Sequence, residues 1–522
     1  MLQQFFQASA CLHARKTAVV AHGRRLSYAQ LEAEALQLAA ALRGRGARPG
    51  DRVGMLLGNS AEAAVTVWAI LEAGCVLVPL HAAARRDALL PVLRDAEPRW
   101  IVSAGELSAS FGAIREGVPA LAGLFAWAPR PGTEGVIGWH FAAAAAVAVV
   151  EAEAEAEAEA EAGAGADAAV AGDAALAALI YTSGSTGEPK GVMLSHANMC
   201  AAVRAVNAYL CLESSDVVYS ALPLSSSYGL YQLVSGLCLG ATIVLDRSFA
   251  FPARSLALVA AERATVFAGV PTMYAWIAAA AGLQAHDLSQ LRVLTSAAAS
   301  LPVEHAQRVR ERLPQARLFV MYGQTECKRI TYLDPEALER KPGSVGRGMP
   351  FQELAVVDEA GVRVPPGGTG ELVVKGPHVM QGYWRKPDVT AHKLRGIAGD
   401  AATWLHTDDL FRIDEDGYLY FVGRKDDILK VGGHKVSPRE IEEVLCQIEG
   451  VREAAVIGMP DATWGEAAKA FLVLREGATL GAEDVTRYCS SRLRGYMVPK
   501  AVVFVPDLPK TESGKVKKRE LD

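Results

Sequence analysis

The chain is predicted to be an α/β protein of more than one domain, built on mostly parallel, doubly wound sheets and closed by a smaller α+β unit. Three observations carry this. At 522 residues it exceeds what one compact core can serve. Over its first four-fifths, short β-rich runs alternate with longer helical stretches, the pattern of parallel strands covered by helices on both faces. After about residue 350 the texture changes to short strands and turns, and it changes again near 423–427.

Taken in order, DRVGMLLG (51–58) reads as a strand, 60–74 as a helix and CVLVPL (75–80) as a second strand. The alternation returns with ATIVLD (241–246), a helix from Pro252, TVFAGV (265–270), a helix from Thr272, RVLTSAA (292–298) and RLFVMYG (317–323). Loops that follow such strands are where ligands sit in open α/β sheets. Between these halves runs EAEAEAEAEAEA (151–162), then GAGADAAVAGDAA (163–175). Glutamate at every second position sets like charges at i and i+4 in a helix and leaves no apolar face in a strand. The segment 151–173 therefore reads as a solvated insertion.

Further on, ELAVVD (353–358), ELVVKG (371–376) and WLHTDDLFRIDEDGYLYFVG (404–423) read as strands, with a hairpin turn at Asp416–Gly417. Ser437-Pro438-Arg439-Glu440 has the form of a capping box with proline at the first helical position. Ile441, Val444, Leu445 and Ile448 then share one apolar face, and Gly450 closes the helix.

Composition narrows the function. Apolar residues make up 51% and charged residues 21%, the profile of a soluble globular protein. A net charge of −5 gives no electrostatic case for nucleic acid or an anionic membrane. The eight cysteines are scattered without a C-x-x-C pair, which argues against a metal site or a disulfide framework. The N-terminus lacks a signal-type apolar core, and the longest apolar run, 141–150, is half of what a bilayer span needs. A cytoplasmic protein with no membrane insertion is expected.

The chemistry starts at Tyr181–Gly191, YTSGSTGEPKG, between the apolar strand AALI and a helix that begins near Ser195. Thr182, Ser183, Ser185 and Thr186 stand among Gly184, Gly187 and Gly191, and the loop ends on Lys190. Glycines let backbone N–H groups face an anion, hydroxyls add donors, and the lysine adds charge, so a polyphosphate is the natural guest. The G-K-[ST] ending of a Walker A loop is missing, which speaks against a P-loop kinase. MYGQTE (321–326) follows a strand: a tyrosine face suits a purine, a threonine hydroxyl a phosphate, and a carboxylate Mg²⁺.

TSGSTGEPKG is similar to the signature of the adenylate-forming superfamily: acyl- and aryl-CoA synthetases, adenylation domains of nonribosomal peptide synthetases, and luciferases. The family's other motifs follow in order, so the resemblance covers nearly the whole chain. It implies an N-terminal AMP-binding domain over 1–422, with a small β-barrel-like subdomain, then a hinge over 423–427 and a mobile C-terminal domain over 428–522. ATP and Mg²⁺ are the implied cofactors. Catalysis falls to Thr186, Lys190, Glu326 and Lys515, the last from PKTESGK (509–515). By resemblance Tyr322 and Gly323 meet adenine, Thr325 holds phosphate and Glu326 holds Mg²⁺. Asp409, from TDDL where the family has T-G-D, binds the ribose. Arg424 lies near ribose or phosphate and Asp426 is the pivot. Gly432, Gly433, His434 and Lys435 (VGGHK) match the segment that lines the thiol tunnel.

The acyl pocket departs most from the family. LPLSSSYGL (222–230) has Ser225 and Ser226 in place of the usual aromatic and histidine. Ser227 falls where amino-acid-activating domains place an aspartate for the substrate ammonium, and a serine lacks that charge. SAAAS (296–300) replaces a Gly-rich stretch. Ser227, Tyr228, Tyr231, Ala297, Ala298 and Ala299 are the candidate pocket residues. The reading is a carboxylic acid ligase that forms an acyl-AMP and passes the acyl group to coenzyme A or a phosphopantetheinyl carrier protein. The stretch YGQTECKRITYL resembles stand-alone ligases of natural-product pathways, so a carrier-loading enzyme for a proline-like amino acid stays open. A non-catalytic scaffold and a luciferase-like oxygenase are the remaining alternatives.

Overall fold

A computed structural model describes residues 1–104, 111–127, 136–139, 172–183, 188–280, 282–510 and 516–521. The EA-repeat segment, residues 184–187 of the phosphate loop and the segment 511–515 with Lys515 lie outside the described residues.

Two large sheets dominate. One has nine strands, and six neighbours at its centre run parallel: Arg317–Tyr322, Val293–Ser296, Val266–Gly269, Val217–Ser220, Thr242–Leu245 and Thr17–Ala21. The other has eight, with a parallel run from Leu176–Ser183 through Val76–Pro79, Arg52–Leu56, Trp100–Ala104 and Gly123–Trp127 to Val136–Trp139. Arg52–Leu56, Val76–Pro79, Thr242–Leu245, Val266–Gly269, Val293–Ser296 and Arg317–Tyr322 sit inside their sequence-based spans, while Leu176–Ser183 runs past AALI at both ends.

Two helices are apolar nearly all round. Ala61–Glu72 buries ten of its twelve residues, and it contacts Thr17–Ala21 of one sheet and Val76–Pro79 of the other. Ser227–Leu239 buries nine of thirteen. A helix without a polar face belongs between layers, and here one continuous core joins both sheets. An antiparallel sheet of five strands follows: Glu353–Val357, Thr369–Lys375, Leu394–Ile397, Asp400–Ile413 and Leu419–Arg424. Gly417, at φ +79°, makes the turn expected at Asp416–Gly417.

The last hundred residues have their own core, centred on Leu429, Ile441, Leu445, Leu472 and Val485. It packs the helix Pro438–Leu445 against a hairpin, Val451–Asp461 with Gly465–Leu474, to which Ala501–Phe504 adds in parallel. Two local expectations need correction. Ser437 precedes that helix but caps nothing; its hydroxyl donates to the Val422 carbonyl at 2.5 Å, tying the helix to the strand ahead of it. The helix also stops at Leu445, before Gly450, which instead turns the chain at φ +90°. Among the described residues, no helix is long and apolar enough to cross a membrane.

Candidate active site

The phosphate loop is not a strand–loop–helix. Leu176–Ser183 turns back on Pro189–Ser195 as an antiparallel hairpin, and the helix His196–Leu210 starts only beyond the second strand. Ser195 accepts from the Asn198 N–H and caps that helix. The residues PKGVMLS fit either element locally; pairing with a buried strand decided for β. The hairpin places Thr182 opposite Lys190 and Ser183 opposite Pro189. Gly191 is required for space, because a Cβ there would come within 2.9 Å of the Tyr181 ring. Gly184, Ser185, Thr186 and Gly187 lie outside the described residues.

A cavity of about 480 Å³ opens beyond the C-terminal ends of the parallel strands Val293–Ser296 and Arg317–Tyr322. Thr182, Lys190, Tyr322, Gly323, Thr325, Glu326, Asp409 and Arg424 all line it. The loop after the parallel strand Arg317–Tyr322 brings Gly323, Thr325 and Glu326 to this edge, while Thr182 and Lys190 come from the hairpin and Asp409 and Arg424 from the antiparallel sheet.

Asp409, buried at 6% exposure, organises one wall. Its Oδ2 accepts from the Tyr322 hydroxyl at 2.5 Å and from Gln324 Nε2 at 2.9 Å, and Arg424 Nε lies 3.8 Å from Oδ1. Burial and the Asp409 carboxylate both hold the Tyr322 hydroxyl well above its ordinary pKa, so it stays protonated as a donor. Asp408 adopts φ +59°, the conformation a glycine would supply. Aspartate tolerates it better than most residues, and two contacts hold it: its N–H donates to Glu371 Oε1 at 2.9 Å and its carboxylate pairs with Lys393 at 2.6 Å.

The opposite wall carries Lys190, Glu326 and Tyr383. Tyr383 donates to Glu326 Oε1 at 2.7 Å, and Lys190 Nζ lies 5.8 Å from the Tyr383 ring centroid. Tyr383 sits on a two-residue strand that pairs with the second strand of the hairpin, which explains how it reaches both residues. Arg439, from the first turn of the C-terminal helix, also reaches the cavity; it donates to Ser300 Oγ at 2.7 Å and covers the Phe421 ring.

Of the proposed acyl-pocket residues, Ala298 and Ala299 line this cavity. Ser227 sits just behind it, its Oγ 3.4 Å from Thr325 Oγ1, at the start of a helix capped by Ser226. Tyr228, Tyr231 and Ala297 are buried behind the wall, Tyr228 bonding Thr295 Oγ1 at 2.8 Å. The candidate thiol-tunnel residues stand away from the cavity on the hairpin 429–436. His434 stacks on Tyr496 at 4.2 Å, Lys435 pairs with Glu359, and Gly432 and Gly433 take φ +55° and +82°. Asp426 is exposed in a short 3₁₀ turn, Lys425–Asp427. Lys510 and Val516, flanking the Lys515 segment, form a backbone bridge.

Gln324, Tyr383, Lys393 and Arg439 were missed from sequence. Gln324 is the variable residue inside Y-G-x-T-E and was open to inspection; the other three carry no local signal.

Known proteins resemble this chain in sequence and in fold. The AMP-binding enzyme family matches residues 6–384, and the AMP-binding enzyme C-terminal domain matches 440–515. A long-chain-fatty-acid–CoA ligase of Bacillus subtilis (strain 168) is 32% identical over 538 residues, covering 100% of this chain and 94% of its own. A feruloyl-CoA synthase of an Amycolatopsis sp is 35% identical over 513 residues, covering 97% and 95%. Among solved structures, ATP-bound MatB from Rhodopseudomonas palustris is similar at TM-score 0.83 and 31% identity, covering 99% of this chain and 98% of that one.

Proposed function

The chain belongs to the AMP-binding enzymes of the adenylate-forming superfamily, and on that footing we propose how its residues divide the work of an ATP-dependent acid–thiol ligase. The reaction has two halves. A carboxylate oxygen attacks the α-phosphorus of ATP and pyrophosphate leaves, giving acyl-AMP. A thiol sulfur then attacks the acyl carbon and AMP leaves. No covalent enzyme intermediate is needed.

Asp409 takes the ribose hydroxyls in exchange for the Tyr322 and Gln324 donors it now holds, and Tyr322 with Gly323 frames adenine. Thr182, Thr325 and Lys190, with Ser183 to Gly187, grip the phosphates. Glu326 and Thr325 offer one carboxylate and one hydroxyl toward them, a donor set that fits Mg²⁺ when nucleotide oxygens and water complete the shell. Bound there, Mg²⁺ would offset charge on the phosphates, while Tyr383 orients the carboxylate. Lys515 adds a cation where negative charge grows in the transition state. The segment 423–427 serves as hinge between the domains 1–422 and 428–522, letting one lobe present Lys515 and then the 432–435 segment. The acceptor we favour is coenzyme A, the thiol named in the relatives above; a carrier protein is the alternative.

The observation that carries this reading is one cavity shared by Lys190, Tyr322, Thr325, Glu326, Asp409 and Arg424. Acid-dependent pyrophosphate exchange across fatty, aryl and amino acids tests it, followed by coenzyme A against a phosphopantetheinyl carrier as acceptor. Lys515→Ala is expected to slow exchange by roughly 10²–10³, or about 2.7–4 kcal/mol. Unchanged exchange in that variant would remove Lys515 from the chemistry, and absence of exchange with every acid would favour a nucleotide-binding scaffold.

A further inference from the structure

Among the described residues, one from the C-terminal lobe lines the cavity: Arg439, in the first turn of the helix Pro438–Leu445. Its guanidinium serves two partners from two edges. Nε donates to Glu443 Oε1 at 2.8 Å, one turn along the same helix. Nη2 donates to Ser300 Oγ at 2.7 Å, across the boundary with the N-terminal domain. The planar fork suits this double duty, which a lysine could not perform. The same guanidinium lies 5.2 Å from the Phe421 ring centroid, and Phe421 stands 6.3 Å from Tyr322, ring to ring. Arg439 thus touches both sides of the cavity end that holds Tyr322.

Ser300 belongs to a loop whose own residues hold it poorly. Ala298, Ala299 and Ser300 line the cavity between the strand Val293–Ser296 and the helix Val303–Arg312, and all three are exposed. Ala298 takes φ +76°, the left-handed region that glycine enters freely. Asparagine or aspartate could offset the strain with a local hydrogen bond; alanine has no group for it. Such a conformation persists where surrounding contacts fix it. Arg439 supplies one from another domain, so the bond exists in one placement of the lobe. A rotation about 423–427 that carried the helix away by a few ångströms would break it. The 432–435 segment, assigned above to the thiol step, stands away from the cavity in this placement. The bond therefore belongs to the adenylation half of the cycle.

We propose that Arg439 is a positioning residue: through Ser300 it sets the Ala298–Ser300 wall against the nucleotide while the lobe is in this placement. The grip on ATP tightens as the lobe arrives. When the lobe turns for the thiol step, the wall is released and AMP can leave. Arg439 acts on the nucleotide through the loop, not by contact. This inference rests on the ligase reading above.

The test combines calorimetric titration of the full chain with MgATP, pyrophosphate exchange, and single-turnover transfer from acyl-AMP to coenzyme A. Arg439→Ala is expected to weaken ATP binding, and to raise the KM for ATP in exchange, by about tenfold, the value of one hydrogen bond to a charged group. Transfer from acyl-AMP to coenzyme A should be unchanged, because the bond is already broken in that step. Ser300→Ala should match Arg439→Ala, and the double variant should bind ATP no worse than either. Adding Ala298→Gly to Arg439→Ala should restore most of the affinity, since glycine holds the left-handed turn unaided. ATP affinity unchanged in Arg439→Ala, additive losses in the double variant, or a transfer rate that falls as far as the affinity would overturn the inference. So would failure of the glycine rescue, which would make Arg439 a direct nucleotide contact. Exchange absent with every acid in the unaltered enzyme would instead sink the ligase reading, while the titration still decides on Arg439.

Discussion

Replacing Glu371 by glutamine should weaken both the fold and the nucleotide site. Glu371 is 3% exposed, and its two oxygens face donors only. Oε2 accepts from Lys425 Nζ at 2.7 Å and meets His406 Nδ1 at 2.9 Å, while Oε1 accepts from the Asp408 N–H at 2.9 Å. Burial by itself would raise its pKa, but His406, Lys425 and the Asp408 N–H outweigh it and bring the pKa from 4.5 to about 2. That shift corresponds to about 3 kcal/mol of stability at neutral pH, and solvent screening of Lys425, which is a third exposed, lowers the expectation to about 2–3 kcal/mol. A glutamine gives the same order, since its NH₂ must face at least one donor and strands it, at about 1–3 kcal/mol.

The sign follows from the depressed pKa. The contribution is complete above the unfolded value near 4.5 and fades as pH falls toward 2, where the folded group takes up its proton. Urea unfolding of the wild type and Glu371→Gln is therefore expected to differ by about 2–3 kcal/mol at pH ~7 and by less than half of that at pH ~3. Because the variant also loosens Asp408, beside Asp409, the proposed ribose partner, its KM for ATP should rise. A difference below about 0.5 kcal/mol at neutral pH, or one that stays constant into acid, would refute the reasoning.

Asp409→Asn turns an amide NH₂ toward the Tyr322 and Gln324 donors; the KM for ATP in the exchange assay should rise by roughly 10- to 100-fold, the value of about 1.5–3 kcal/mol for hydrogen bonds to a charged group. Tyr383→Phe removes the hydroxyl that orients Glu326, so the Mg²⁺ concentration for half-maximal exchange should rise about tenfold, with little change in unfolding. An unchanged Mg²⁺ titration would remove Glu326 from the metal.

How much was legible in the sequence differs by residue. Lys190, Tyr322, Thr325, Glu326, Asp409 and Arg424 sit in short motifs whose composition states their chemistry, and all six face one cavity. The helix expected near Ser195 begins at His196, but the strand Pro189–Ser195 ahead of it was not anticipated, because PKGVMLS has no strong preference and the outcome hung on a buried partner strand. The capping box at Ser437 failed for a similar reason: the hydroxyl found the Val422 carbonyl, a partner the local pattern does not contain.

Motif chemistry, hydrophobic period and turn residues are properties of a few neighbouring positions, so the amino-acid order by itself determined the α/β class, the main strands and the set of motif residues that line the cavity. The bond between Tyr383 and Glu326, the hold of Glu371 on Lys425 and Asp408, and the inward turn that buries Lys328 join residues tens of positions apart or depend on what surrounds them. Only the tertiary structure decided these, because burial and pairing across a chain are set by which layers pack together, and no local run of residues encodes its own distance to a distant one.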